Sequence, residues 1–370
     1  MKKSLKILAL NWRDPLHPEA GGAEIHLDYI LSYLATKYTV VLISTKVSSS
    51  EETFVHNGYL IKRIGHPFLF NFTFPFLWNK ELKNEKFDIV IDDISKIGLQ
   101  TPRYIKKTPI LALFHHIHGY TLFQLLPFPV ALYVYIMEKI ALKSYINTPM
   151  IVVSESSKQE LLRLAPFKQL NIIHNGIDKE YLKLRNPKKN SFQFCSIGRL
   201  TYAKRVDLSL DIFRYILEKN PKAMFFIAGK GNDEERLKAY SQKLKIDHAV
   251  IFLGFISEKE KINLLESSQA LLFTSEKEGW GITVIEASAC YTPTFGFNVA
   301  GVRDSVKQGI NGCLVSFGDV KSLAKEIIKY LESNEIQKLQ GKSYCYAKNF
   351  SWLKISQEIE VNILNQISSK

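Results

Sequence analysis

The chain is 370 residues long, more than one ordinary core and the right size for two domains of about 150 to 200 residues each. Apolar residues make up 46% and charged residues 23%, with no low-complexity tract, which excludes a disordered chain. The net charge of +13 asks for an acidic partner, but it is spread evenly: 20 basic against 14 acidic residues over 1–170, and 29 against 22 over 171–370. No zinc-finger, RNP or helix-turn-helix signature accompanies it, so nucleic acid is set aside as a partner.

The opening "MKKSLKILALNWRDP" has only a four-residue apolar run, too short for a signal-peptide core, and reads as a first strand. Cys195, Cys290, Cys313 and Cys345 include no C-x-x-C pair, which points to buried thiols in a reducing compartment, with neither a disulfide framework nor a zinc site. The expected location is therefore the cytoplasm.

In chain order, "LKILALN" reads as strand, Ala23 to Leu34 as helix, and "YTVVLIST", "YLIKRIG", "FDIVIDD", "PILALFHH" and "MIVVSE" as strands. A helix from Ser154 to Leu164 follows, capped by Ser154 or Ser156. Near-continuous Val/Ile/Leu runs suit strands buried on both faces of a parallel sheet. After a loop-rich stretch at 171–190 the rhythm restarts: strands at "FQFCSIGRL", "AMFFIAGKG", "VIFLGF", "ALLFTS" and "TPTFGF" alternate with helices at 207–218, 233–243, 257–267, through Glu286, and 320–334. Two successive β-α-β series imply two doubly wound, Rossmann-like domains facing across a cleft.

In such sheets ligands bind beyond the carboxyl ends of the strands. "HPEAGGAE" places Gly21 and Gly22 before a helix, where backbone amides can meet a phosphate; a tight loop explains the pair equally well. "GRLTYAKRVD" carries Arg199 and Lys204 in a strand-to-helix loop, either a diphosphate clamp or a solvated basic loop. His115, His116 and His118 lack a fourth ligand at zinc spacing; the choice is between a contact from one of them to a sugar or acceptor hydroxyl and capping or packing roles for at least two. In "SEKEGWGITVIEASA" a helix beginning at Gly281 or Ile282 puts Glu278 before it and Glu286 inside it, with the amides of Gly281, Ile282 and Thr283 between them as an anion site. Two carboxylates flanking an anion site suit hydroxyls on either side of a phosphate, and Glu276 is left to solvent.

The arrangement E-G-W-G-I-x-x-x-E-A resembles the E-x7-E motif of the family 4 retaining glycosyltransferases of GT-B fold. G-R-L-x-x-x-K at 198–204, "NGID" at 175–178, "GGAE" at 21–24 and "FSW" at 350–352 are similar to that family too, so the likeness covers nearly the whole chain. It implies an α/β GT-B fold, with an acceptor-side domain of residues 1–174 plus 350–370, a nucleotide-sugar domain of residues 175–349, and a last helix crossing back to the first domain. It further implies a hexosyltransferase using a UDP- or GDP-sugar donor, without other cofactor, retaining the anomeric configuration as the leaving phosphate takes the acceptor proton. By the same resemblance Arg199, Lys204 and the amides at 281–283 hold the diphosphate, Glu286 the ribose hydroxyls, Glu278 the donor sugar, and Gly21 and Gly22 approach the phosphates. His115 corresponds to the histidine near the reacting sugar, with His116 as the alternative. No D-x-D occurs, so no metal is expected, and the leaving charge falls to the two cations and the helix end. One departure stands out: Ala300-Gly301 and Asp304 replace the family's G-G-x-x-E, which puts a ligand contact from that loop in doubt.

Two stretches bear on the acceptor. Residues 66–78, "HPFLFNFTFPFLW", place Phe at every second position from 68 to 76, a period that fits strand or helix alike. Residues 119–137 carry no charge over 19 positions, but Pro127 and Pro129 interrupt them, which favours a buried or surface-docking helix over a membrane span. Lys80, Lys83 and Lys86 follow the first stretch, so it reads either as core packing or as a peripheral membrane contact serving a glycan or lipid-linked acceptor. Rival classes are a non-catalytic sugar-nucleotide-binding subunit and a basic nucleic-acid binder.

Overall fold

A computed structural model describes residues 5–48, 50–95, 97–183, 187, 189–190, 192–333 and 335–369. The chain divides into two compact units, Met1–Gly176 with Trp352–Lys370, and Ile177–Ser351.

The first unit is built on an eight-stranded sheet of β1 (Lys6–Leu10), β2 (Thr39–Thr45), β3 (Thr53–His56), β4 (Tyr59–Gly65), β5 (Ile89–Ile94), β6 (Ile110–Phe114), β7 (Met150–Val152) and β8 (Leu170–Ile172). Its order is β3-β4-β2-β1-β5-β6-β7-β8, parallel throughout except for β3 against β4. The central strand β1 shows why the runs are continuous: Ile7 and Ala9 enter the core on one face, Leu8 and Leu10 on the other. Five helices accompany these strands: α1 (Gly22–Ala35), α2 (Phe70–Leu77), α3 (Leu122–Leu125), α4 (Phe128–Lys143) and α5 (Glu155–Leu164). Ser154 caps α5, its hydroxyl accepting from the Ser157 amide at 3.1 Å, one of the two caps expected.

The Phe-rich stretch resolves as the helix α2, with Pro75 inside it. Phe70 and Phe74, one turn apart, are buried against β1 and β2, while Phe68, Phe72 and Phe76 are exposed. Pro127 and Pro129 stand at the start of α4, where a missing N–H costs nothing. Among the described residues no helix is long and apolar enough to cross a membrane.

The second unit holds a fully parallel six-stranded sheet of β9 (Gln193–Ile197), β10 (Met224–Ala228), β11 (Val250–Gly254), β12 (Ala270–Phe273), β13 (Thr294–Phe297) and β14 (Gly312–Val315), in the order β11-β10-β9-β12-β13-β14. Its helices are α6 (Val206–Lys219), α7 (Glu234–Lys243), α8 (Glu258–Ser267), α9 (Ile282–Ala289), α10 (Val302–Ser305), α11 (Val320–Glu332) and α12 (Glu335–Ala347). Strands β3, β8 and β14 and helices α10 and α12 went unread in the sequence; the three strands are three or four residues long and lie at sheet edges. Cys195, Cys290 and Cys313 are buried as expected, but Cys345, on α12, is exposed.

The last helix, α13 (Trp352–Ser368), belongs to the first unit. Its Trp352, Ile355, Ile359 and Ile363 join Leu27, Ile30, Leu31 and Leu34 of α1 in one core. Glu360 fixes the pair further, accepting from Tyr33 and Tyr38 hydroxyls and the Lys37 ammonium, each at 2.7 Å.

Candidate active site

In the second unit the loops after β9, β10, β12 and β13 meet at the carboxyl end of the sheet. The loop after β9 and that after β10 touch backbone to backbone: Gly198 N–H donates to Ala228 O at 3.0 Å, and Leu200 N–H to Lys230 O at 3.0 Å. A Cβ on Gly229 would stand 1.9 Å from Gly198 O, and one on Gly231 1.9 Å from Leu200 O, so neither position admits a side chain. This holds the segment carrying Arg199 in place. Lys204 ends a single 3-10 turn, and Arg205 follows in the left-handed region at φ 48°, braced by Asp207 at 3.1 Å.

Lys204 Nζ lies 2.5 Å from Glu278 Oε1. The Glu278 backbone is itself pinned, its N–H donating to Ala300 O at 3.1 Å, while Glu276 N–H donates to Ala203 O at 2.9 Å. Gly301, at φ 80°, approaches so closely that a Cβ there would lie 2.1 Å from Glu278 O. The departure at 300–301 therefore leaves the loop a positioning role through its main chain, which Ala300 fulfils as well as glycine. Gly281, at φ 87°, is the N-cap of α9, and Val284 N–H donates to its carbonyl at 3.0 Å, which leaves the amides of Ile282 and Thr283 without an intrahelical partner. Glu278 precedes this helix and Glu286 lies in its second turn.

Glu286 is buried, and Lys261 of α8 meets its Oε1 at 3.0 Å. Lys261 also reaches Glu258 at 3.0 Å, and Tyr181 donates to Glu258 at 2.6 Å. Burial pushes the Glu286 carboxyl above its ordinary value, and Lys261 offsets this only in part. For Lys261, burial pulls down but Glu286 and Glu258 outweigh it and hold the ammonium above its ordinary value. Lys261 was missed in the sequence, where "EKEK" looks like any solvated helix face.

A second cluster forms in the first unit beyond β1, β5 and β6. His115 is buried, with Nε2 2.7 Å from Asp93 Oδ1; Asn11 Nδ2 donates to Asp93 Oδ2 at 2.7 Å, and Ser157 Oγ donates to His115 O at 2.6 Å. Burial lowers the His115 pKa, but the Asp93 carboxylate overrides it and leaves the imidazole above its ordinary value. His116 lies instead beside His118, ring centres 4.6 Å apart, and His118 is held by Glu138. At the start of α1, Gly21 N–H donates to Glu24 Oε2 at 2.7 Å. Gly21 has an extended backbone, and a Cβ there would meet Glu24 Oε2 at 3.6 Å, an ordinary contact, so neither conformation nor packing requires glycine there.

Sequence reasoning also missed Asp93 and its neighbour Asp92, both in a strand interior. Asp92 accepts from Thr101 and Tyr145 at 2.5 Å each, and burial pushes its carboxyl up to about 6 against those two bonds. Two acids at the end of an apolar parallel strand were the available signal.

These architectures match solved structures of GT-B type: a sucrose-phosphate synthase from Thermosynechococcus elongatus superposes with a TM-score of 0.83 at 18% identity, covering 99% of this chain and all of the other. Residues 20–181 match the Glycosyltransferase Family 4 model, and residues 178–347 the model of Glycosyl transferases group 1. The chain belongs to this family of glycosyltransferases. Among relatives, an uncharacterised glycosyltransferase of Methanocaldococcus jannaschii is 28% identical over 59% of this chain, and a UDP-Gal:alpha-D-GlcNAc-diphosphoundecaprenol alpha-1,3-galactosyltransferase of Escherichia coli is 26% identical over 68%. The matches span 60% and 68% of those relatives' own lengths.

Proposed function

We propose that the protein transfers a hexose from a UDP- or GDP-sugar to a glycan or lipid-linked acceptor, retaining the anomeric configuration and using no metal. The observation that carries this reading is the Lys204–Glu278 pair set before α9, with buried Glu286 in the second turn of that helix. Donor binding exchanges partners. The diphosphate takes Lys204, with Arg199 and the amides at 281–283, and Glu278 is released to accept hydroxyls of the sugar. Glu286, buried beside the Lys261 ammonium, accepts the ribose hydroxyls.

With Arg199 and Lys204 on the leaving diphosphate, the developing charge meets fixed cations and a helix end, the kind of preorganised stabilisation that removes most need for a metal. The departing phosphate oxygen then takes the acceptor proton on the same face. His115, oriented by Asp93, is assigned to the reacting sugar, and Gly21 and Gly22 approach the phosphates, the Gly21 amide exchanging the Glu24 carboxylate for a phosphate oxygen.

The lipid-linked acceptor rests on two supports. Phe68, Phe72 and Phe76 of the α2 region and Phe128, Ile136 and Ile140 of α4 are exposed, and Asn71 and Phe72 touch Tyr133 of α4, which joins the two helices into one apolar surface. The Escherichia coli relative, by its name, acts on a diphosphoundecaprenol-linked sugar. The reading places the protein at the inner face of the membrane.

The test is thermal shift and donor hydrolysis with UDP-, GDP- and ADP-sugars in the presence of a chelator. A donor at about a hundred times its Kd stabilises by roughly 2.7 kcal/mol. A shift and slow hydrolysis with one of them supports the reading; no shift and no turnover with any of them refutes it.

A further inference from the structure

His26 sits in the second turn of α1, buried, and among the described residues neither of its ring nitrogens meets a hydrogen-bond partner. Burying an imidazole in that state costs free energy that an apolar side chain would avoid. Its neighbours give the position meaning. Its ring stacks on Trp352 of α13 at 5.4 Å and 23°, and Trp352 stacks in turn on Tyr29 at 4.8 Å and 12°. The His26 ring also meets His115 at 5.3 Å and 89°, edge to face.

His115 is tied to Asp93 through Nε2. One hydrogen bond fixes one ring atom and leaves the imidazole plane free to turn about that axis. We propose that His26 is the positioning residue that fixes the plane of the His115 ring, clamped by Trp352 and Tyr29. The inference rests on the assignment of His115 to the reacting sugar.

Charge fits the same role. Burial, and then the charge of His115, push His26 well below its ordinary value, so it stays neutral when His115 holds a proton. The charged groups acting on His115 are then Asp93 and Glu24, both of which raise its proton affinity. A protonated or basic side chain at position 26 would oppose them. A neutral flat ring supplies contact without altering that balance.

The experiment compares the full chain with His26→Ala, which removes the ring, His26→Phe, which keeps a flat one, and Trp352→Phe, which loosens the clamp without touching His26. The readouts are the His115 Nε2 proton resonance, assigned by its loss in His115→Asn, together with kcat and donor KM and the melting transition. In His26→Ala the resonance is expected to broaden through exchange with water and kcat to fall about 10- to 100-fold, with KM nearly constant, as for a small misplacement of a reacting group. His26→Phe recovers most of both losses, and Trp352→Phe shifts both in the same direction by less.

An unchanged His115 resonance and kcat in His26→Ala overturns the proposal. So does a folded His26→Phe as impaired as His26→Ala, because ring contact would then not be what matters. If His26→Ala fails to fold, Trp352→Phe decides: a sharpened or unaltered His115 resonance there overturns it. If no donor is turned over by the unaltered protein, the functional reading fails while the resonance still reports on the positioning.

Discussion

Lys204 and Glu278 form an ion pair at 2.5 Å, each held by backbone contacts that neither side chain controls. The pair joins two groups assigned to different parts of the donor, so each occupies the other's binding capacity. Lys204→Ala is therefore expected to lower kcat by about 10²- to 10³-fold, the loss typical of removing one preorganised donor to a developing charge. Stability should change little, because the pair is partly solvated. Glu278→Gln should weaken catalysis while tightening binding of the free nucleoside diphosphate, since Lys204 no longer has to be released. Calorimetry with UDP or GDP checks this, and equal or weaker binding would falsify the exchange.

A pH experiment separates the second acid. The Glu286 carboxyl lies above its ordinary value through burial, with Lys261 pulling it back. A carboxyl raised in the folded state favours folding below its unfolded pKa and loses that contribution as pH rises through the folded value. In Lys261→Met the folded value rises further. The variant should match the parent protein at acid pH, where Glu286 is protonated, and fall behind by about 3–5 kcal/mol at neutral pH, the cost of stranding a buried charge. Adding Glu286→Gln should restore neutral-pH stability without restoring donor affinity. Urea titrations at several pH values read both effects.

Gly301→Ala tests the main-chain support of Glu278. The new Cβ would lie 2.1 Å from Glu278 O on a residue at φ 80°, so the loop must move. A substitution incompatible with its backbone costs more than about 1 kcal/mol. Activity should fall further than stability accounts for, and Ala300→Gly should leave both near the starting values.

The two sides of α2 make opposite predictions. Phe70→Ala opens the core under β1 and should cost about 3–5 kcal/mol. Phe76→Ser, on the exposed side, should stay within about 0.5 kcal/mol and instead weaken sedimentation with phosphatidylglycerol vesicles. Unaltered vesicle binding by Phe76→Ser combined with Phe68→Ser would remove the membrane surface from the functional reading.

The central strands and the helix that separates Glu278 from Glu286 were legible in the sequence, because buried parallel strands are apolar on both faces and Gly281 marks a helix start. The partners of the acids and bases were not. Asp93 finds His115 only because β5 pairs with β6 in a register that sets Asp93 opposite Leu113, two residues short of the histidine. Lys261 finds Glu286 across two helices, from a segment whose composition is that of a solvent-facing turn. Period-two phenylalanines left strand and helix equal in 66–78, and only packing of Phe70 and Phe74 against the sheet chose between them. A short edge strand such as β3 or β14 carries too few residues for any period to emerge.

Ile177 and Ser351 form a parallel bridge, with Ile177 N–H donating to Phe350 O at 2.7 Å. The second unit thus begins and ends at one place, as a loop insertion does, although it is a whole domain. Such a segment can be cut out and exchanged as a cassette with two adjoining seams, since its neighbouring ends put little constraint on what lies between them. If the proposed assignment of the donor to the second unit holds, grafting the corresponding segment of a relative with a different donor between Gly176 and Trp352 is expected to change the sugar that is moved and leave the choice of acceptor as it was.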